Sequence, residues 1–493
     1  MAPIYLEIIV VLVGIFLLLF ETFVPTKEKS ILAWIGAAGL GLVLLLSFFV
    51  QAPVEIAPLT GYHTFYRADA LAMFFKQFAL ITTIVVLIMS VEYKGVISKY
   101  IYGTTPEAGL GEFFALPVFT CAGLMWMASA IDFILIFVSL ELVTISFYIL
   151  VSYTRRNSRS LEAGVKYLIL GALSTGFLVY GITWIFGITG QTNLDLIAEK
   201  IQHMQGSTTP LLFGMVLVLI ALGFKIAAAP FQLWVPDVYQ GAPTPITAFL
   251  SVGSKAAGFV VLVRVLKVFV SAQQTSGQII SMMGILAVLT LIYGNLAAMP
   301  QNNLKRLLAY SSIAHAGYLL IAVASGAYIH STVTIVFYLT GYLLMTLLSF
   351  MVIIVVANNS GGDDIAHFNG LGKRSPRLAF AMLAAMLSLA GVPFTVGFFG
   401  KFLVFSAAYD QKQFLLLGIG IVTVCAGFYY YLKVVRAMYW NEPAEGSHPI
   451  VIAPVTKTTI LVLTVLIFVL GIYPQPILSR LKTRDTRIVE TSR

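Results

Sequence analysis

The chain has 493 residues, 59% of them hydrophobic and 10% charged, with 30 Lys and Arg against 21 Asp and Glu for a net charge of +9. A soluble domain carries about 25% charged residues, so composition excludes a soluble fold. The basic excess is dispersed along short loops and helix ends, with no basic stretch interleaved with aromatics. That sets nucleic acid aside as a partner and fits loops held on the cytoplasmic side of a membrane.

Fourteen apolar segments are long enough to span a bilayer, at roughly 4–24, 31–50, 69–90, 112–130, 131–151, 161–187, 211–240, 244–270, 277–298, 303–324, 331–357, 377–408, 414–439 and 454–473. Each approaches the length of about 20 residues that the hydrocarbon core demands. The expected fold is an all-α polytopic membrane protein. The first segment lacks a basic leading region and a small-residue cleavage site, so it reads as a retained helix and not a signal peptide. The fourth and fifth segments meet at a very short connection around Asp132. The whole of 1–493 reads as one membrane domain: helices 1–3 in 1–111, two blocks at 112–270 and 277–439, and a last helix and tail in 454–493.

Loops between the segments are short. None carries a Gly-rich phosphate loop, a cysteine cluster or a flavin fingerprint, so no redox centre, cofactor or metal site is expected in this chain. Cys121 and Cys425 both lie in apolar runs and read as small buried hydrophobes. Lysine and arginine favour alternate loops, among them Lys94, Lys99, Arg155, Arg156, Lys373 and Arg374. By the positive-inside rule those loops are cytoplasmic, which places both termini outside. The basic tail Arg480, Lys482, Arg484, Arg487 and Arg493 opposes this assignment.

Two segments are interrupted. Segment 211–240 holds Pro230 and Pro236, and segment 377–408 holds Gly391, Pro393, Gly397 and Gly400. Proline removes a backbone donor and clashes with the preceding turn, and in lipid the freed carbonyls need local partners. Broken helices at corresponding places in two halves mark ion paths in transporters. Lys225-Ile-Ala-Ala-Ala-Pro230-Phe231 and Ser388-Leu-Ala-Gly-Val-Pro393-Phe394 are similar text five helices apart. A repeat of five helices inverts its partner, so the pattern suggests an inverted repeat.

Five ionisable residues sit within apolar segments away from their ends: Glu141, Lys225, Lys255, His315 and Lys401. A charge at the bilayer centre costs about 2.5–3.5 kcal/mol on insertion scales, more than packing alone explains. Structural ion pairing, snorkelling or a satisfied core histidine are the bland alternatives. The sharper reading is proton carriage, because burial lowers a lysine toward neutrality and a carboxylate beside it raises it again. Glu141 moving toward or away from Lys225 would load or unload a proton. Lys166, Arg264, Lys305 and Asp132 lie nearer helix ends and read as interfacial.

The stretches Phe224-Lys225-Ile-Ala-Ala-Ala-Pro230-Phe231-Gln-Leu-Trp234-Val-Pro236-Asp237-Val-Tyr239-Gln-Gly241 and Asn303-Leu-Lys305-Arg306-Leu-Leu-Ala-Tyr310-Ser-Ser-Ile-Ala-His315 resemble signatures of the antiporter-like subunits of respiratory complex I, NADH:quinone oxidoreductase. Ser139-Leu-Glu141-Leu and Phe399-Gly-Lys401-Phe are further matches, and Pro236-Asp-Val-Tyr-Gln-Gly-Ala-Pro-Thr-Pro resembles the N branch, bacterial type. The resemblance implies two five-helix inverted repeats, helices 4–8 and 9–13, with helices 7 and 12 discontinuous. It implies a proton path through Glu141, Lys225, Lys255, His315 and Lys401. NADH, FMN, iron–sulfur and quinone chemistry would belong to partner subunits. The neighbours would be M-like and K/J-like membrane subunits in a bacterial inner membrane. Gln232 departs from the pattern, where many relatives carry histidine. A multi-subunit sodium/proton antiporter, a membrane-bound hydrogenase and a structural spacer are the alternatives.

Overall fold

The computed structural model describes residues 2–24, 28–50, 61–101, 109–204, 206–270, 272–326, 328–443 and 450–479, with side chains for all of these except 273 and 328–330. The helices in chain order are α1 (Tyr5–Phe23), α2 (Ser30–Phe49), α3 (Ala70–Tyr100), α4 (Leu110–Ser129), α5 (Phe133–Val151), α6 (Ser158–Thr189), α7 (Leu194–Gln202), α8 (Thr209–Ile226), α9 (Val235–Gly241) and α10 (Thr244–Phe249). They continue as α11 (Lys255–Val270), α12 (Gln273–Ala298), α13 (Leu304–Ala324), α14 (Tyr328–Ser360), α15 (Leu371–Arg374), α16 (Pro376–Ala390), α17 (Val396–Asp410), α18 (Phe414–Trp440) and α19 (Pro454–Ile472).

Among the described residues, thirteen helices are long and apolar enough to cross a membrane, counting α10 and α11 as one through a π-helical turn at Leu250–Ser254. The fourteenth expected span is the pair α16 and α17, each 15 residues. At 1.5 Å per residue neither half alone crosses a core about 30 Å thick. The fold is an all-α polytopic membrane protein. Outward-facing apolar side chains such as Leu45, Ile169 and Leu461, each more than half exposed, give it a lipid-compatible surface.

Side-chain caps set several boundaries. Asp69 accepts from Ala72 N–H at 2.8 Å, and Asp132 accepts from Ile134 N–H at 2.7 Å. Asn303 accepts from Arg306 N–H at 3.1 Å. Each satisfies a backbone donor that the first helical turn leaves open. The Asp132 cap is why so short a connection separates α4 from α5. Helix α3 runs to Tyr100, ten residues past its expected end, because a helix need not stop where hydrocarbon does. Amphipathic α7 and the π turn are absent from the sequence expectations. Cys121 is buried as expected, whereas Cys425 is exposed, a correction explained by the outward face it occupies on α18. The tail after 479 lies outside the described residues.

The chain divides into two compact units, one of 1–227 with 241–279, the other of 228–240 with 280–493. In the first, α6 packs along α8, α4 against α1, α3 and α5, and α11 against α4 and α8. In the second, α14 packs against α13, α16, α17 and α19.

One backbone motif occurs in both units. Phe133 N–H donates to the Thr192 carbonyl at 3.0 Å and Leu194 N–H to the Ile131 carbonyl at 2.8 Å. In the second unit Leu304 N–H donates to the Asp363 carbonyl at 3.0 Å and Ile365 N–H to the Asn302 carbonyl at 2.8 Å. All four positions recur 171 residues on: 131, 133, 192 and 194 become 302, 304, 363 and 365.

Candidate functional site

In the first unit the site is built on α5, α6, α8 and α11. Helix α8 ends one residue after Lys225, and Ala227 turns into the left-handed region at φ 65°. Lys225 therefore stands in the last turn of a half-helix, where the dipole favours a cation. It is 5% exposed, and its ammonium donates to the Thr144 hydroxyl. Thr144 commits its own proton to the Leu140 carbonyl at 2.6 Å, so its lone pairs face the lysine.

Glu141 stands near the middle of α5, three residues before Thr144. Its carboxylate accepts a hydrogen bond from the Thr175 hydroxyl of α6 at 2.6 Å. Glu141 lies one helical turn before Thr144, the residue that holds the Lys225 ammonium. The expected pair is thus near but separated, each member held by a threonine.

Lys255 is 2% exposed and is the first residue after the π turn. Such turns shift the register of a helix and recur at functional sites. One turn further, a Cβ at Gly258 would lie 3.0 Å from Ile226 Cγ2 and 3.5 Å from Lys225 Cβ. Gly258 therefore marks where α11 comes close to the end of α8 that carries Lys225. A Gly258→Leu variant is expected to lose about 1–3 kcal/mol, the usual cost of overpacking, read as earlier melting of the purified protein in detergent.

In the second unit the site is built on α13, α14, α16, α17 and α18. His315, 2% exposed, sits between two phenols: Nδ1 lies 2.7 Å from the Tyr338 hydroxyl and Nε2 lies 3.2 Å from the Tyr431 hydroxyl. Tyr431 also shares a hydrogen bond with Ser311. The Tyr318 ring stands edge-on to His315 with centroids 6.0 Å apart, and the Lys401 ammonium lies 5.0 Å from the centre of that same ring. Tyr318 thus joins the histidine to the lysine.

Lys401 closes the second broken helix. Its ammonium donates to the Leu389 carbonyl at 2.9 Å and the Ala390 carbonyl at 2.8 Å, the open C-terminal end of α16. Gly391 makes the left-handed turn at φ 90°, with Pro393 in the gap before α17. Ser388, in the place of Lys225, instead accepts the Gly397 N–H at 3.1 Å. The break at Pro230 is also satisfied, since Ala229 N–H donates to the Thr290 hydroxyl at 2.9 Å.

The structure therefore brings Glu141 and Lys225 close through Thr144 with Lys255 in the same unit, and His315 with Lys401 in the other. Gln232 is 3% exposed and its side-chain oxygen makes no hydrogen bond. Of the residues read as interfacial, Lys166 pairs with Glu162 at 2.7 Å with 41% of its side chain exposed. Three others are buried. Asp132 caps α5, Lys305 lies 3.9 Å from Asp363, and Arg264 grips Asp69 with two nitrogens at 2.9 and 2.7 Å. Proximity to a helix end did not mean exposure, because partners distant in sequence meet these residues there: Thr192 at Asp132, Asp363 at Lys305 and Asp69 at Arg264.

Sequence reasoning missed a second buried charge cluster. Glu7 of α1 and Lys76 of α3 pair at 2.8 Å with both side chains fully buried. The Tyr66 hydroxyl accepts from Lys76 and donates to Glu7 at 3.2 Å. Both charges were visible inside apolar segments, in the stretches Tyr5-Leu-Glu7-Ile and Phe75-Lys76-Gln. Thr144, Thr175, Tyr338 and Tyr431 were also missed, because hydroxyls in apolar helices usually bond their own backbone. Among the described residues, no group of three His, Cys, Asp or Glu side chains could hold a metal ion.

Buried lysines at the open ends of two broken helices, one with a carboxylate in reach, define a membrane transporter of the discontinuous-helix class. The family model described as NADH:quinone oxidoreductase/Mrp antiporter, TM matches residues 130–427, and the chain belongs to that family. It is 41% identical to NADH-quinone oxidoreductase subunit N of Trichlorobacter lovleyi, over 89% of this chain and 87% of that one. It is 37% identical to the subunit of the same name from Moorella thermoacetica, over 96% and 95%. Among solved structures, it is similar to a chain of respiratory complex I from Thermus thermophilus with bound aureothin. That match has 30% identity, covers 96% of this chain and 98% of that one, and has a TM-score of 0.78. The Mrp complex of Dietzia contains the same fold at 19% identity and a TM-score of 0.80.

Proposed function

We propose that this chain is a proton-translocating membrane subunit of a bacterial NADH:quinone oxidoreductase, with Glu141, Lys225, Lys255, His315 and Lys401 as its proton carriers. The carrying observation is Lys225, a buried amine at a helix break whose carboxylate partner is near but bound elsewhere. A carrier must exist charged and neutral in turn, which lysine can do and arginine cannot. Exchanging the Lys225 partner between a neutral hydroxyl and Glu141 changes the electrostatic preference for the proton. Redox chemistry in partner subunits supplies the drive, and M-like and K/J-like membrane subunits are the expected neighbours.

We read residues 112–270 and 277–439 as two inverted repeats. The recurring backbone motif supports this, since its offset also pairs Thr144 with His315 and Glu141 with Ser312. The first repeat thus carries its charge on α5 where the second carries an imidazole on α13. The inner membrane with both termini periplasmic is the orientation that the loop charges favour.

The test is proton uptake into inside-out vesicles, measured against NADH oxidation by the same vesicles. Lys225→Met in the assembled complex is expected to lower coupled uptake by about 10²-fold or more, the scale of removing a positioned proton carrier. Undiminished uptake would overturn the proposal.

A further inference from the structure

Glu141 and Thr144 lie three residues apart on α5, so they project from the same face of that helix with Cβ atoms about 5–6 Å apart. The Glu141 carboxylate therefore lies one helical turn from the hydroxyl that holds the Lys225 ammonium. The carboxylate is turned to the hydroxyl of Thr175 on the neighbouring α6, at 2.6 Å.

The polarity of these two bonds is complementary. Thr144 donates to the Leu140 carbonyl and can only accept from the amine. Thr175 donates to the carboxylate, which is the role an ionised Glu141 requires. The helix that carries Thr175 is itself tied to α8: Ser174, next to Thr175, donates to the Ala221 carbonyl at 3.3 Å. The Thr144 hydroxyl is held by the Leu140 carbonyl, and the Thr175 hydroxyl stands on a helix bonded to α8.

Resting on the proton-carrier reading above, we propose that Thr144 and Thr175 are positioning residues that hold Glu141 and Lys225 apart, giving the pair a second stable arrangement. Closing the ion pair then exchanges two hydrogen bonds to hydroxyls for one charge-assisted contact. Without the threonines the closed pair has no competitor, and the cycle stalls in it. Each hydroxyl bond to a charged group is strong enough to matter on this scale, because such bonds contribute more than neutral ones.

The decisive variants keep shape and remove the hydroxyl. In the assembled complex, Thr175→Val is expected to slow coupled proton uptake several-fold, and Thr175→Ser to restore it. A structural role is separated by infrared spectroscopy of the purified complex, with the Glu141 carboxylate band assigned by its loss in Glu141→Gln. That band is expected to shift in Thr175→Val and return in Thr175→Ser. An unmoved band, or valine and serine variants with equal uptake, overturns the proposal. If the valine variant does not assemble, Thr144→Val and Thr144→Ser carry the test with the same expected and overturning results. Full uptake by Lys225→Met defeats the wider reading, whereas a dead Lys225→Met beside an unaffected Thr175→Val defeats the threonine assignment alone.

Discussion

Gly397→Ala is expected to remove the folded chain from the membrane. A Cβ at Gly397 would fall inside the van der Waals envelope of the Ser388 carbonyl oxygen, with the carbonyl carbon at 2.7 Å and Ser388 Oγ at 3.0 Å. Two of these three atoms are backbone, so no rotamer change relieves the overlap. Helices α16 and α17 must part, and the Lys401 ammonium then leaves the Leu389 and Ala390 carbonyls. Two carbonyls open to hydrocarbon, at about 1–3 kcal/mol each, add to the steric cost and consume much of a typical stability of about 5–15 kcal/mol. The measurement is the amount of chain in purified membranes and its melting in detergent. Ser388→Ala is the control. It removes the bond from Gly397 N–H at 3.1 Å and a weak one to Met345 Sδ at 3.6 Å without moving backbone, and a loss of about 1 kcal/mol is expected. Equal membrane levels of Gly397→Ala and the unaltered chain would show that the two half-helices do not need their close crossing.

The sequence displayed the spans because each needs about 20 apolar residues, and it displayed both helix breaks through Pro230 and Pro393. Glu141, Lys225, Lys255, His315 and Lys401 stood out because charge in an apolar run is expensive. What stayed hidden was partnership. Periodicity placed Glu141 and Lys225 in their helices but could not say that Thr175 and Thr144 take their hydrogen bonds. Lys401 read as a residue beyond a break, and only the geometry makes it the cap of the preceding half-helix. The π turn before Lys255 is not marked by a proline or any other breaker within Leu250-Ser-Val-Gly-Ser254 beyond one glycine, which helices tolerate. Asp69 and Arg264 are 195 residues apart, and such a pair exists only once the helices are assembled.

Lys76→Met is expected to destabilise the protein by about 3–5 kcal/mol, the cost of leaving a buried charge without its partner. Glu7 and Lys76 have no exposed side-chain surface, so neither can turn to water. Tyr66 bonds both, which closes the cluster upon itself. A buried ion pair is nevertheless weak evidence for stability, because desolvation offsets most of its Coulomb energy. Replacing the whole cluster by apolar groups is often neutral or stabilising by about 1–4 kcal/mol. The combination Glu7→Leu, Lys76→Met and Tyr66→Phe removes both charges and the hydroxyl that would otherwise be orphaned. It is therefore expected to melt at or above the unaltered protein, while Lys76→Met alone melts well below it. The comparison is informative for function as well. The cluster stands on α1 and α3, outside both proposed repeats, so the triple variant is expected to keep full proton uptake. A triple variant that is stable but fails to pump would instead place Glu7 and Lys76 among the proton-carrying groups.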